Sequence, residues 1–170
     1  MILTILHYPD ERLRQPGKKI DAVTPELLRL IDDMAETMYA APGVGLAAPQ
    51  VGEALQLFLI DVATEEEPSD LRVFINPEIV AKDGETTFGE GCLSFPGAQE
   101  DIVRAERVTV NALGRDGEPF TLEAEGLLAI AVQHELDHLH GVLMIDKLGP
   151  LSWAPTVAGP ISSSTASGRA

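Results

Sequence analysis

Two stretches of the chain carry apolar residues at helical spacing. The first is expected to begin at Thr24-Pro25, because threonine is a good N-cap and proline suits the first helical position. Pro42-Gly43 is expected to end it. Its apolar stripe consists of Leu27, Leu28, Leu30, Ile31, Met34, Thr37 and Met38. The second stretch, residues 125–140, is followed by Gly141 as a stop signal. The pattern predicts one early helix and one late helix.

Between these helices the apolar residues cluster or alternate as they do in β-strands. The predicted strands are 56–62, 71–76 with Pro77 halting it, 78–88, 102–113 and 119–122. Residues 43–50 are rich in glycine and alanine and are predicted to be irregular. The elements together predict an α+β fold with mixed or antiparallel strands around a central helix, the later of the two, and with an N-terminal helix.

Length and composition limit the function classes. The chain has 170 residues, and we expect one catalytic domain over residues 1–150, followed by a disordered low-complexity tail over residues 151–170. The net charge of -15 argues against a broad phosphate-binding surface, so DNA is not an expected partner. No apolar run could span a membrane, no signal peptide is evident and there is one cysteine, so a cytoplasmic location is expected.

The second helix carries the pattern His134-Glu135-x-x-His138. On a helix the two histidines lie one turn apart on the same face, so both can bind one metal ion, and Glu135 can reach a water at that ion. A helix could also carry two histidines and an acid by chance. The apolar flanks indicate burial, and because buried imidazoles need partners, the metal site is the better interpretation. His140 is interpreted as an ordinary near-surface histidine.

Two histidines make a poor metal site, and a third protein ligand is expected. After the motif only Asp146 remains, as a weak candidate. The one cysteine, Cys92, lies upstream, and a thiolate with two imidazoles would leave a position open for water. A buried cysteine is ordinarily structural, but the missing third ligand favours Cys92 as a metal ligand.

Three stretches together resemble the signature motifs of peptide deformylase, in the same order: Gly43-Val-Gly-Leu-Ala-Ala-Pro-Gln50, Glu90-Gly-Cys-Leu-Ser94 and Gln133-His-Glu-Leu-Asp-His138. The similarity runs from about residue 4 to about residue 149. The resemblance implies a metal-dependent hydrolase that removes the N-formyl group from N-formylmethionyl nascent polypeptides and releases formate. The implied partners are these peptides and, transiently, the ribosome.

The resemblance also implies roles for individual residues. Glu135 would be the catalytic acid and base, Gln50 and the backbone N–H of Leu93 would stabilise the oxyanion, and Gly45 would contact the substrate backbone. The ion would natively be Fe²⁺, with Zn²⁺, Ni²⁺ and Co²⁺ able to occupy the site. The implied metal ligands are Cys92, His134 and His138.

Other hypotheses remain open from the residues alone. Glu90 and Arg104 are predicted to pair and brace the Cys92 loop, with Asp137 helping to hold the helix. A conventional zinc peptidase would use the two motif histidines with another ligand and would tolerate loss of Cys92. A catalytically silent metal-binding domain would show no turnover with any metal.

Overall fold

A computed structural model describes residues 1–147, in which two α-helices enclose part of a β-sheet. Helix α1 spans Pro25–Ala40, and its N-cap Thr24 accepts a hydrogen bond from the backbone N–H of Leu27. Helix α2 spans Gly126–Leu139. Both helices agree with the sequence prediction. The predicted tail over residues 151–170 lies outside the described residues, and the domain boundary at 150 stays a prediction.

The described residues form seven strands in two sheets. The strands are β1 (Gly45–Ala47), β2 (Leu57–Ile60), β3 (Arg72–Asp83), β4 (Thr86–Cys92), β5 (Phe95–Arg104), β6 (Arg107–Leu113) and β7 (Pro119–Glu125). One sheet has the order β1-β2-β3-β6-β7, the other pairs β4 with β5, and every pairing between these strands is antiparallel. Short 3₁₀ helices lie at Glu11–Arg14, Ala48–Val51 and Met144–Lys147. The predicted α+β class is confirmed.

Pro77 does not halt a strand, and that prediction was wrong. Strand β3 runs through the proline, where its pairing with β6 shifts register between Ile75 and Glu78. A proline lacks the N–H that a ladder needs, and a register irregularity is a place that tolerates its absence. Asn76 has a positive φ of 52° there, and its side chain bonds to both backbone groups of Ile20 at 2.8 Å.

Two further boundaries were predicted incorrectly. Residues 102–113 form parts of two strands, β5 and β6, because the chain breaks at residues 105–106 without a glycine or proline to mark the break. Residues 43–50 are not irregular, since they contain β1 and the start of a 3₁₀ helix. Strand β1 is buried throughout and therefore shows no alternation of apolar and polar residues.

Strand β2 is buried on both faces because a helix covers each one. Leu57 and Leu59 belong to the apolar cluster that contains the α1 side chains. Phe58 and Ile60 point the other way and join the cluster that contains the α2 side chains. The two-stranded sheet contributes to a third cluster with the N-terminal segment. No helix within residues 1–147 is both long and apolar enough to cross a membrane.

The turn after α2 is pinned by a close approach of two backbones. Gly141 has φ 73°, and an added Cβ there would press against the backbone carbonyl of Arg14. Gly126 has a similar φ of 63° but no atom near an added Cβ, so it serves as a matched control. We expect Gly126→Ala to lower the free energy of unfolding by about 1 kcal/mol. Gly141→Ala should lower the free energy of unfolding by about 2 kcal/mol more than Gly126→Ala does, as measured by urea denaturation. Equal losses in the two variants would show that the close approach to Arg14 does not constrain the turn.

Candidate metal centre and active site

Helix α2 and the end of β4 bring three metal-binding side chains together. His134 and His138 lie on one face of α2, with ring centroids 5.1 Å apart, and both are buried. The Sγ atom of Cys92, the last residue of β4, lies 3.4 Å from Nε2 of His138. One ligand atom from each of the three residues lies within 4.8 Å of the others. Metal–sulfur and metal–nitrogen bonds of about 2.0–2.3 Å can span such a group.

Asp146, the weaker candidate ligand, is occupied elsewhere. Its carboxylate accepts hydrogen bonds from the guanidinium of Arg14 and from the backbone N–H of Leu143. It does not belong to the group of Cys92, His134 and His138. His140 is exposed at the end of α2, as expected.

A buried network orients the ring of His134. Nδ1 of His134 lies 2.8 Å from Oε1 of Glu90, so the carboxylate accepts the Nδ1 proton and Nε2 is left to bind a metal ion. Arg104 donates to both oxygens of Glu90, from Nε at 2.8 Å and from Nη2 at 2.9 Å. Its Nη1 donates to Asp137 at 2.6 Å. The contacts that the bracing hypothesis requires are therefore present.

The charges of this network follow from competition between burial and hydrogen bonding. Burial alone would raise the pKa of Glu90, but hydrogen bonds from Arg104 and His134 outweigh it and lower the pKa below its ordinary value. Burial would lower the pKa of His134, yet its contacts with Cys92 and Glu90 raise it well above the ordinary value. A metal ion bound at this ring would displace the Nε2 proton, because the ligand is the neutral imidazole. Burial lowers the pKa of His138.

Glu135 is buried beside the three ligand residues with one oxygen unpaired. Within residues 1–147, its Oε1 has no hydrogen-bond partner. Burial is the main cause that raises the pKa of Glu135 to about 7. A Cβ added to Gly45 would lie 2.6 Å from Oε2, so this carboxylate occupies space that only a glycine leaves open. An unpaired buried oxygen of this kind marks a place for a small polar ligand such as water.

Gln50 points its amide nitrogen towards the Cys92 loop. Its side-chain oxygen accepts a hydrogen bond from the backbone N–H of Ala47 at 2.9 Å, which fixes the orientation of the amide. The nitrogen donates to Oγ of Ser94 at 3.1 Å and lies 3.7 Å from Sγ of Cys92. Ser94 is fully buried. Its support of Gln50 was missed from the sequence, because it depends on a contact between distant segments.

A groove of about 610 Å³ runs past the candidate centre. Leu93 lies in the turn between β4 and β5 and borders this groove, as do Gly45 and Glu135. The expected oxyanion-stabilising and substrate-contacting residues thus border the same groove as Cys92 and His134, two of the candidate ligands. His7 also borders it, and no pattern in the sequence distinguished this histidine.

Comparison with known proteins identifies the family. The family model described as "Polypeptide deformylase" matches residues 2–153. The chain belongs to this family. Members of the family remove the N-formyl group from nascent polypeptides in a metal-dependent hydrolysis, and the chain is a hydrolase of that kind. The Cys92, His134 and His138 group is its candidate metal-binding site.

Individual relatives agree in sequence and in structure. The peptide deformylase of Chromobacterium violaceum is 55% identical over 150 residues, which cover 88% of this chain and 89% of the relative. A crystal structure of a peptide deformylase from Legionella pneumophila superimposes with a TM-score of 0.85 at 52% identity, covering 89% of this chain and 88% of the other. A crystal structure of the peptide deformylase from Thermotoga maritima superimposes with a TM-score of 0.83 at 40% identity, covering 88% of this chain and 99% of the other.

The buried Arg104 pair should matter far more than a similar pair at the surface. Replacing Arg104 by methionine leaves Glu90 buried without its cation, so we expect Arg104→Met to lower the free energy of unfolding by about 3 kcal/mol. Zn²⁺ affinity, measured by competition with a chelator, should fall roughly tenfold, because Glu90 orients His134 and loses the Arg104 contacts that hold it. The control is Arg107→Met, since Arg107 pairs with Asp83 in solvent, where screening by water makes a pair contribute little to stability. Unchanged metal affinity in a folded Arg104→Met variant would contradict the bracing hypothesis.

Proposed function

We propose that Cys92, His134 and His138 hold a divalent ion with which this chain removes the formyl group from N-formylmethionyl nascent polypeptides. The observation that carries the proposal is the unpaired, buried Oε1 of Glu135 beside three ligand atoms within 4.8 Å of one another. One thiolate and two imidazoles suit Fe²⁺ and Zn²⁺. The native ion is Fe²⁺ in this proposal, and Zn²⁺, Ni²⁺ or Co²⁺ can replace it.

Glu135 moves the proton that the reaction requires. When bound, the ion supplies Lewis acidity, which makes water easier to deprotonate and the formyl carbonyl more electrophilic. Glu135 accepts the proton of the attacking water as the oxygen adds to the formyl carbon. It then gives that proton to the leaving amine nitrogen as the carbon–nitrogen bond breaks and formate is released. Its unpaired, buried oxygen beside the ligand residues leaves the carboxylate free for both transfers.

Gln50 and Leu93 stabilise the negative charge that develops on the formyl oxygen. The amide nitrogen of Gln50 is already aimed at the Cys92 loop, because Ala47 and Ser94 hold its two ends. The backbone N–H of Leu93 is the second donor. A single oriented donor of this type contributes about 3 kcal/mol to the stability of a transition state.

Gly45 contacts the backbone of the substrate. It begins β1, the edge strand of the five-stranded sheet, and an edge strand can bond to an extended peptide as a further strand. The same residue borders the groove beside Glu135. A peptide bound along this edge would therefore present its formyl end to the candidate centre.

The cellular setting follows from the substrate. Nascent polypeptides are present at the ribosome, so we place the activity in the cytoplasm with transient ribosome contact. The net charge of -15 disfavours DNA as a partner.

Variants of Cys92 and Glu135 should have different defects, because Cys92 is the proposed metal ligand and Glu135 the proposed proton carrier. Glu135→Ala should retain the ion and lower kcat on a formyl-Met-Ala-Ser peptide by at least about a hundredfold, since the proton acceptor is lost. Cys92→Ala should lose or misplace the ion, because two imidazoles alone bind it weakly. Anaerobic loading, elemental analysis and formate release measure these effects.

Two results would overturn this assignment. A wild-type protein loaded with Fe²⁺ that releases no formate would exclude the proposed activity. Cleavage of unformylated peptides that survives Cys92→Ala would indicate a conventional peptidase with another third ligand. A His140→Ala variant is the control for general loss of an imidazole, because His140 is exposed and outside the ligand group.

The close approach of Gly45 to Glu135 gives a separate prediction. A methyl group at Gly45 must displace the Glu135 carboxylate, so Gly45→Ala should lower kcat/KM by about a hundredfold while metal content stays unchanged. The control is Gly89→Ala, whose added Cβ would meet its nearest atom at an ordinary 3.5 Å. Equal activity of the two variants would show that Glu135 tolerates the displacement.

A further inference from the structure

The segment just before β1 is tied to the rest of the fold at two backbone positions. The N–H of Gly43 donates to the carbonyl of Met38 in the last turn of α1, at 2.8 Å. The N–H of Asp61 donates to the carbonyl of Val44, also at 2.8 Å. Gly43 and Val44 border the same groove as Glu135. The position of this groove wall therefore depends on where α1 and Asp61 lie.

The carboxylate of Asp61 is a buried hydrogen-bond centre. Its Oδ2 accepts from the hydroxyls of Tyr39 and Ser69, each at 2.7 Å, and from the backbone N–H of Asp70 at 3.1 Å. Its Oδ1 accepts from the N–H of Ala63 at 3.0 Å. No ion pair to Asp61 occurs among residues 1–147. Neutral donors alone therefore stabilise this carboxylate.

These donors keep Asp61 ionised although it is buried. Burial alone would raise the pKa of Asp61, but the hydrogen bonds outweigh burial and lower the pKa below its ordinary value. A buried charge without such partners would be strongly unfavourable, so the donors are held firmly in place. They come from α1 and from the segment between β2 and β3.

The contacts form a closed ring around the groove wall. Tyr39 belongs to the last turn of α1, next to Met38, which holds Gly43. Asp61 holds Val44 through its own backbone and holds Tyr39 through its side chain. Hydrogen bonds thus join α1 to the groove wall, the groove wall to Asp61 at the end of β2, and Asp61 back to α1. Weakening the carboxylate contacts would loosen Asp61 from α1, and Asp61 is the residue whose backbone N–H holds Val44, directly before Gly45.

We propose that Asp61 is a positioning residue for the peptide substrate, which fixes the backbone of Val44 and Gly45 where the substrate main chain binds. The inference rests on the proposed contact between Gly45 and the substrate. Asp61 acts through β1 and touches neither the substrate nor the ligand residues. The candidate metal ligands lie on α2 and β4, so weakening the ring should affect peptide binding far more than the chemical step.

Asp61→Asn is the direct test. An amide replaces one acceptor oxygen by an NH₂ group, which then faces a hydrogen-bond donor on whichever side it lies. In the full chain loaded anaerobically with Fe²⁺, we expect the KM for formyl-Met-Ala-Ser to rise about tenfold while kcat stays within about twofold. For N-formylmethionine amide, which lacks the following residues, KM should rise less than about threefold. Metal content should match that of the wild type.

Two further variants keep the test decisive. Tyr39→Phe removes one donor to Asp61 and should raise the KM for the tripeptide about threefold. This variant provides the test if Asp61→Asn does not fold. Thr121→Val is the matched control. Thr121 lies on β7, the other edge strand, and its hydroxyl donates to Asn111 of β6 at 2.7 Å, so losing this bond should leave both constants unchanged.

The outcomes separate this inference from the proposed function. Unchanged KM in folded, metal-loaded Asp61→Asn and Tyr39→Phe would overturn the positioning role. A fall in kcat with unchanged KM, or equal KM shifts for the short and long substrates, would also overturn it. Failure of the wild type to release formate would instead refute the proposed function itself.

Discussion

A helix that is buried on nearly every side cannot carry polar side chains without partners, and α2 carries four such residues. They are Gln133, His134, Glu135 and His138. Each unpartnered polar group in such a place would lower stability by an amount comparable to a lost hydrogen bond or more. The rest of the structure supplies these partners: Gln133 bonds to both backbone groups of Ala105, and β4 approaches the two histidines. The position of β4 against α2 thus follows from satisfying buried polarity.

Two side-chain atoms of α2 are buried without a hydrogen-bond partner within residues 1–147, Oε1 of Glu135 and Nδ1 of His138. The other ring nitrogen of His138 contacts Cys92, and Gln133 and His134 have partners from the turn after β5 and from β4. An unpaired buried acceptor suits the proton transfer that we propose for Glu135. Glu90 and Arg104 have the opposite arrangement, with each charge matched by another. Neighbouring carboxylates therefore differ in pKa because one is paired and the other is only buried.

The sequence predicted the features that depend on local signals. The Thr24 cap and the helical spacing specify α1, and the His134 motif specifies two groups on one face of α2. The course of β3 through Pro77 could not be predicted, because it depends on a register shift against β6, a strand thirty residues away in the chain. Cys92 was predicted as a ligand from the chemistry of the ligand set and the family resemblance, and the structure places it beside His134 and His138. The support of Gln50 by Ser94 had no local signal.

Two different parts of the fold meet at one glycine. The candidate ligands and Glu135 are fixed by α2 and β4, while the groove wall is fixed by α1 and β2 through Asp61. These parts have separate hydrogen-bond networks, and Gly45 is where the second lies against the first, within reach of the Glu135 carboxylate. Any side chain there would have to displace the Glu135 carboxylate. The absence of a side chain at Gly45 therefore lets the two networks lie side by side, which the proposed binding of a main chain at Gly45 and proton transfer by Glu135 both require.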